Sequence, residues 1–219
     1  MMLPGPDHYY TCPHCFSPFR IFTLASGNTL ESERWTDGFY CNPMLPSPPS
    51  ISRCEGCERV FFREDAAFLG DSVESAFELR TLGEDELYDA IESGVNIPPD
   101  RELQLRILVW QVGNSDRREH QVYPVPAPAR SRSQRFCENL LRIIALIDEA
   151  DRGSADALPK DNETVRKQVL IRAEAFRELG RFAEAADLIS SHDWGETLPF
   201  LARIIADAAL MQDDKPKAY

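Results

Sequence analysis

Two pairs of cysteines constrain this chain more than anything else in it. Cys12-Pro13-His14-Cys15 and Cys54-Glu55-Gly56-Cys57 are Cys-x-x-Cys units separated by 38 residues. Such a unit folds as a tight turn that aims two thiolates at one ion. Two turns supply the four sulfurs of a closed, tetrahedral Zn²⁺ site. Cys12, Cys15, Cys54 and Cys57 are therefore the predicted ligands of a structural zinc. The chain around them is rich in turn residues, so the module has little core of its own. Bound metal would contribute much of its folding free energy. The start, MMLPGPDHYYTCPHC, lacks the basic and apolar runs of a secretory leader. No stretch approaches the roughly 20 apolar residues of a membrane span. These features predict a cytoplasmic protein with no membrane partner. Thiols stay reduced there, and paired cysteines serve metals or redox chemistry rather than structural disulfides.

Redox chemistry is the rival for the first pair. Cys12-Pro13-His14-Cys15 is similar to the active-site motif of thioredoxin-like oxidoreductases. In that family the motif follows a strand and opens a helix, whose N-terminus acidifies the first thiol. Only eleven residues precede Cys12, Ser17-Pro18 follows closely, and the second pair would go unexplained. Neither pair is followed by His, which excludes covalent haem attachment. His14 sits between two ligands, where a side chain points outward. Cys41 lies in the spacer as a small buried residue or a substitute ligand, and Cys137 sits beside the apolar stripe of a helix as a core residue.

Composition shifts along the chain suggest a cysteine-rich domain at residues 1–70 and a helical domain at 71–219. The latter divides into acidic helices at 71–129 and further helices at 130–219. Residues 71–129 carry 12 acids against 5 bases, a net −7. In the first domain, 19–24 and 59–63 have β-type residues, and Ser26-Gly27-Asn28 is a turn signal. Pro-rich 43–49 reads as a loop, and Pro-rich 123–128 as a connector. Glu84–Glu92 places Leu87, Tyr88 and Ile91 on one side. Pro98-Pro99-Asp100 opens a helix that is apolar most of the way round and so predicted to be central. Ser131 or Ser133 caps a helix over Arg135–Asp151, with Phe136, Leu140, Ile143, Ile144 and Ile147 as its stripe. Asp161 or Asn162 caps a fourth helix, which Gly180 ends. Phe182–Ser190 is a fifth, and Thr197-Leu198-Pro199 begins a sixth. The fold class expected is α+β, mostly α.

The four cysteines and their short β-like flanks resemble a zinc ribbon over about residues 10–65, in which two knuckles on hairpins hold one zinc. Ala173, Ala175, Gly180, Phe182, Ala185 and Ile189 resemble the centre of a tetratricopeptide repeat. In that family small residues let two antiparallel helices approach, and a glycine makes the turn. No second copy recurs at a 34-residue period, and the closing proline is missing. A single repeat cannot bury its faces, so the resemblance implies a short tetratricopeptide-like bundle packed on neighbouring helices. Together with Trp110 and Asn114, the order of parts resembles bacterial zinc-ribbon proteins with a C-terminal tetratricopeptide-like region. That resemblance implies architecture and no particular activity.

Charge and motifs narrow the function. With 36 acids against 24 bases the net charge is −12, which disfavours a broad nucleic-acid clamp and favours a protein partner of basic surface. No phosphate-cradling loop, dinucleotide fingerprint, nucleophile elbow or His-Glu-x-x-His is present. A zinc closed by four thiolates leaves no position for water. The chain is expected to be no enzyme but a zinc-stabilised adaptor, or an inhibitor of the immunity type, that binds protein through its helices. The alternatives are a nucleic-acid-associated zinc-ribbon regulator and a thiol–disulfide oxidoreductase using Cys12 and Cys15. The regulator would rest on Arg20, Arg53, Arg59, Arg63 and the basic cluster Arg130–Arg135. Trp110, Asn114 and Arg117 share a helix face, as core and helix end or as the lining of a groove. Trp35-Thr36-Asp37-Gly38 reads as a turn whose tryptophan covers the metal site or docks the ribbon onto the helices.

Overall fold

The computed structural model describes residues 2–93, 97–118, 132–153, 162–194 and 198–219. Strands occupy mainly the N-terminal half and helices follow. The strands are β1 (Leu3–Pro4), β2 (His8–Thr11), β3 (Pro18–Ile21), β4 (Leu24–Ser26), β5 (Glu33–Arg34), β6 (Tyr40–Cys41), β7 (Ile51–Arg53), β8 (Val60–Phe62), β9 (Ala67–Gly70) and β10 (Phe77–Glu78). The α-helices are α1 (Glu84–Ser93), α2 (Pro99–Gly113), α3 (Gln134–Gly153), α4 (Asn162–Glu178), α5 (Phe182–Ser190) and α6 (Pro199–Leu210).

Contacts divide the chain into two units. One holds Met1–Ser32 and Cys41–Ser93; the other holds Glu33–Tyr40 and Gly94–Tyr219. The shift in composition, by contrast, falls near residue 70. Residues 71–93 group with the cysteines because Ser52 Oγ on β7 donates to the Arg80 carbonyl (3.0 Å), while Arg80 and Arg53 both pair with Glu86 on α1.

In the cysteine unit, β2 pairs antiparallel with β3 and with β9, and β10 joins β3 in parallel. A second hairpin pairs β7 with β8. Aromatic rings fill the small core between the hairpins. Phe19 is fully buried, with its ring centroid 5.3 Å from that of Phe61 and 5.7 Å from that of Phe77. The strands span two to four residues, too short for alternation to mark them in the sequence. β3 and β8 overlap the β-type runs 19–24 and 59–63, and no run is assigned to β2, β9 or β10.

In the helical unit, consecutive helices pack on one another. Pro99 starts α2 at a position where its missing N–H costs nothing. Ser133 Oγ accepts the Phe136 N–H (3.1 Å) and caps α3, as expected. Ser131 lies outside the described residues, as do Asp161, the Asn162 side chain and the Pro-rich 123–128. The stripe Phe136, Leu140, Ile143, Ile144 and Ile147 is buried against Trp110, Ala175 and Phe176. Between α2 and α3, Glu102 accepts from Arg106 (2.7 Å) and Arg142 (2.9 Å). The α4–α5 turn closes with the Arg181 N–H on the Phe176 carbonyl (2.9 Å) and Gly180 at φ 77°. That left-handed step is one glycine takes without strain. Ala173 and Ala185 are fully buried in this hairpin, and Ile205 on α6 joins Ala173 and Ile189 in a second apolar cluster.

Candidate metal centre

Each cysteine pair occupies the turn of a hairpin, Cys12–Cys15 between β2 and β3 and Cys54–Cys57 between β7 and β8. The two turns repeat each other bond for bond. The Cys12 N–H reaches the Ser17 carbonyl (2.9 Å), as the Cys54 N–H reaches that of Arg59 (2.9 Å). Phe16 N–H returns to the Cys12 carbonyl (3.0 Å), as Glu58 N–H returns to that of Cys54 (2.8 Å). Both returning residues sit in the left-handed region, Phe16 at φ 63° and Glu58 at φ 59°. Backbone N–H groups also point at the leading sulfurs, His14 at Cys12 Sγ (3.4 Å) and Gly56 at Cys54 Sγ (3.3 Å). A Cβ on Gly56 would run into the Ser17 side chain, so this position keeps the two turns close.

The turns bring the four predicted residues together. The sulfurs of Cys12, Cys15, Cys54 and Cys57 all lie within 4.8 Å of one another. Cys12 and Cys57 Sγ are 3.9 Å apart, and Cys15 and Cys54 Sγ are 3.5 Å apart. No disulfide joins them. A tetrahedral ion with metal–sulfur bonds of about 2.3 Å needs sulfur–sulfur edges of about 3.8 Å. The donor set therefore fits one metal ion. Cys12 and Cys54 are buried, and burial pushes both thiols up. Cys15 is held down to about 6, first because the Ser17 hydroxyl donates to its thiolate from 3.2 Å and then through the Ser17 N–H.

Other candidates fall elsewhere. His14 is exposed and its Nε2 faces the Val60 carbonyl (3.3 Å), away from the sulfurs. Cys41 is outside the cluster of four. Cys137, expected in the core, is half-buried on the flank of the α3 stripe. Arg130 and Ser131 of the basic cluster lie outside the described residues, while Arg132 pairs with Asp214.

Sequence reasoning missed a buried ionic network in the helical unit. Asp37 and Glu178 are shielded from solvent, and Asn114 Nδ2 donates to both, at 3.0 Å each. Arg118 pairs with Asp37, and Arg117 with Glu178 (3.1 Å). Arg177 and Glu174, also buried, pair one turn apart, and Thr36 donates to Glu174. Burial pushes the Glu178 carboxyl up to about 8, with the neighbouring Glu174 and Asp37 charges adding to the rise. Trp35 is fully buried beside Phe39, and Arg118 stacks on the Phe39 ring (4.0 Å). Segment Glu33–Tyr40 thus belongs to the helices and not to the metal site. Trp110 is core, as one reading had it, whereas Asn114 and Arg117 serve the network rather than an open groove. No local signal marks the network, because Glu174, Arg177 and Glu178 have the spacing of an ordinary solvated helix face.

Comparisons with protein-family profiles, with curated proteins and with solved structures found no match to this chain. Among the described residues no helix is long and apolar enough to cross a membrane.

Proposed function

We propose that this is a zinc-stabilised, non-catalytic protein-binding protein, in which a ribbon-like module carries a structural Zn²⁺ and a tetratricopeptide-like bundle takes a protein partner. The observation that carries the reading is the pair of matching turns converging on four thiols. Four sulfur donors close a tetrahedral shell, so Cys12, Cys15, Cys54 and Cys57 would hold the ion with no vacancy for substrate. Bound there, zinc supplies fixed positive charge that keeps the thiols ionised and ties the two hairpins together. The N–H groups of His14 and Gly56 donate to the leading sulfurs and would hold them in place.

The same geometry weighs against the rivals. The Cys12–Cys15 turn leads into β3, so no helix N-terminus acidifies the first thiol as in a thioredoxin-like site. Two of the four ribbon arginines that a nucleic-acid reader would use are paired with acids, Arg20 with Asp7 (3.1 Å) and Glu78, and Arg53 with Glu86 (3.6 Å). The net charge of −12 steers encounter toward a basic protein surface.

Two measurements test the proposal. Elemental analysis should give one zinc per chain, lost in the Cys12→Ser, Cys57→Ser double variant; full retention there would refute the ligand set. Affinity capture should recover a protein that survives high-salt washing. Recovery of nucleic acid in its place would make the chain a regulator.

A further inference from the structure

Residues 213–219 follow α6 through a bend at Lys215 and then run strand-like at Ala218, and most of what holds them reads main chain. Arg177, fully buried on α4, donates to the carbonyls of Asp213 and Lys215, the latter at 2.8 Å. Arg117 donates to the Asp214 carbonyl (2.6 Å), and Arg132 reaches the same oxygen (3.4 Å). Farther along, the Thr36 N–H donates to the Lys217 carbonyl and the Lys217 N–H to Thr36 Oγ1, each at 2.9 Å. Trp35 and Ala218 form an antiparallel bridge, and the Tyr219 N–H meets the Arg34 carbonyl (2.8 Å). One acidic side chain is read, the Asp214 carboxylate, by Arg117 (3.2 Å) and Arg132. Within 213–219 only Pro216 is buried.

Arginine donors on successive carbonyls, plus strand addition at Ala218 and Tyr219, hold a peptide by its main chain and leave its other side chains free to vary. A segment that served only to finish the core would be anchored by apolar side chains instead. The segment leaves α6 through Gln212 at φ 54°, the left-handed step that ends the helix, with the Asp213 N–H returned to the Ala208 carbonyl (2.9 Å).

We propose that the groove formed by residues 33–40 with Arg117, Arg132 and Arg177 is a peptide-binding site which the chain's own C-terminal segment occupies. Its ligand is a segment of a partner protein that takes the same course, with a carboxylate at the place of Asp214. The inference rests on the protein-binding reading above and names the ligand. Overall charge sets the encounter, whereas this groove sets the contact, so a basic partner with one local acid satisfies both.

The test uses the chain ending at Gln212 and, as probe, a fluorescent synthetic peptide with the sequence of residues 212–219. Anisotropy should show saturable binding to the shortened chain and at least tenfold weaker binding to the intact one. The same peptide carrying Asp214→Lys should bind the shortened chain at least tenfold more weakly. Absence of binding to a shortened chain of unchanged circular dichroism overturns the proposal. So does a shortened chain that dimerises without taking up peptide. If shortening prevents folding, Lys217→Pro in the intact chain removes the N–H given to Thr36 while keeping the segment. Gain of peptide binding then supports the site, and its absence in a natively folded variant rejects it. A partner captured by affinity despite a negative peptide result leaves the protein-binding reading standing on another surface.

Discussion

At the scale of the residue, the two knuckles expose a local compromise. Phe16 and Glu58 hold left-handed backbone at the same place in each turn, where a side chain costs about 1–2 kcal/mol. Glycine relieves that strain but adds freedom to the unfolded chain, worth about 0.4–1 kcal/mol. Glu58→Gly should therefore stabilise the cysteine unit by up to about 1 kcal/mol in a thermal melt; a lower Tm would show that the Glu58 side chain contributes more than its backbone costs. Glu178 gives a pH-dependent expectation. Its carboxyl moves from 4.5 to about 8 on folding, chiefly through burial. Between those values the folded chain keeps a proton that the unfolded chain has lost, so stability falls as pH rises through the window and is level below it. Glu178→Gln keeps the shape without the titration and should flatten that slope; parallel pH profiles for variant and parent would contradict it. The four cysteines were legible one by one because spacing alone defines a turn. Asp37, Glu174, Arg177 and Glu178 were not, since charges on a helix usually face water and only their partners explain their burial.

At the scale of the element, the α4–α5 hairpin depends on small residues where the helices meet. Ala185 has no solvent exposure, so Ala185→Leu inserts volume into a filled interface. Overpacking of this kind costs about 1–3 kcal/mol, to be read as a lower urea midpoint; an unchanged midpoint would mean the helices are spaced more loosely than they stand. This hairpin, its glycine stop and the α3 stripe were readable because a period of 3.6 accumulates over nine to twenty residues. The strands were mostly silent. Elements of two to four residues carry too few alternations, and their pairing is imposed by the turns that the cysteines close.

At the scale of the whole molecule, metal loading should govern one unit. The cysteine unit has only a small aromatic core, and structural zinc in modules of this size is worth about 10–16 kcal/mol of apparent binding free energy at neutral pH. A strong chelator should abolish dispersion of the amide resonances of residues 2–32 and 41–93. Ligation also requires thiolates, so zinc should be released as pH falls, and release should reverse on neutralisation. Resonances that stay dispersed in chelator at neutral pH would show that the hairpins stand without metal. Residues 33–40, lying between the two cysteine pairs, belong to the helical unit, which decides between the two readings of Trp35 in favour of the helices.

The sequence by itself determined the four thiols, the long helices and the Ser133 cap, because each follows from short-range spacing and periodicity. The tertiary structure decided where residues 33–40 belong, which charges are buried, and that residues 213–219 lie against Arg117, Arg132 and Arg177. Those outcomes depend on groups 60 to 180 positions apart meeting, as Asn114 meets Glu178 and Lys217 meets Thr36. Low dielectric makes such contacts strong once formed, but nothing local announces them.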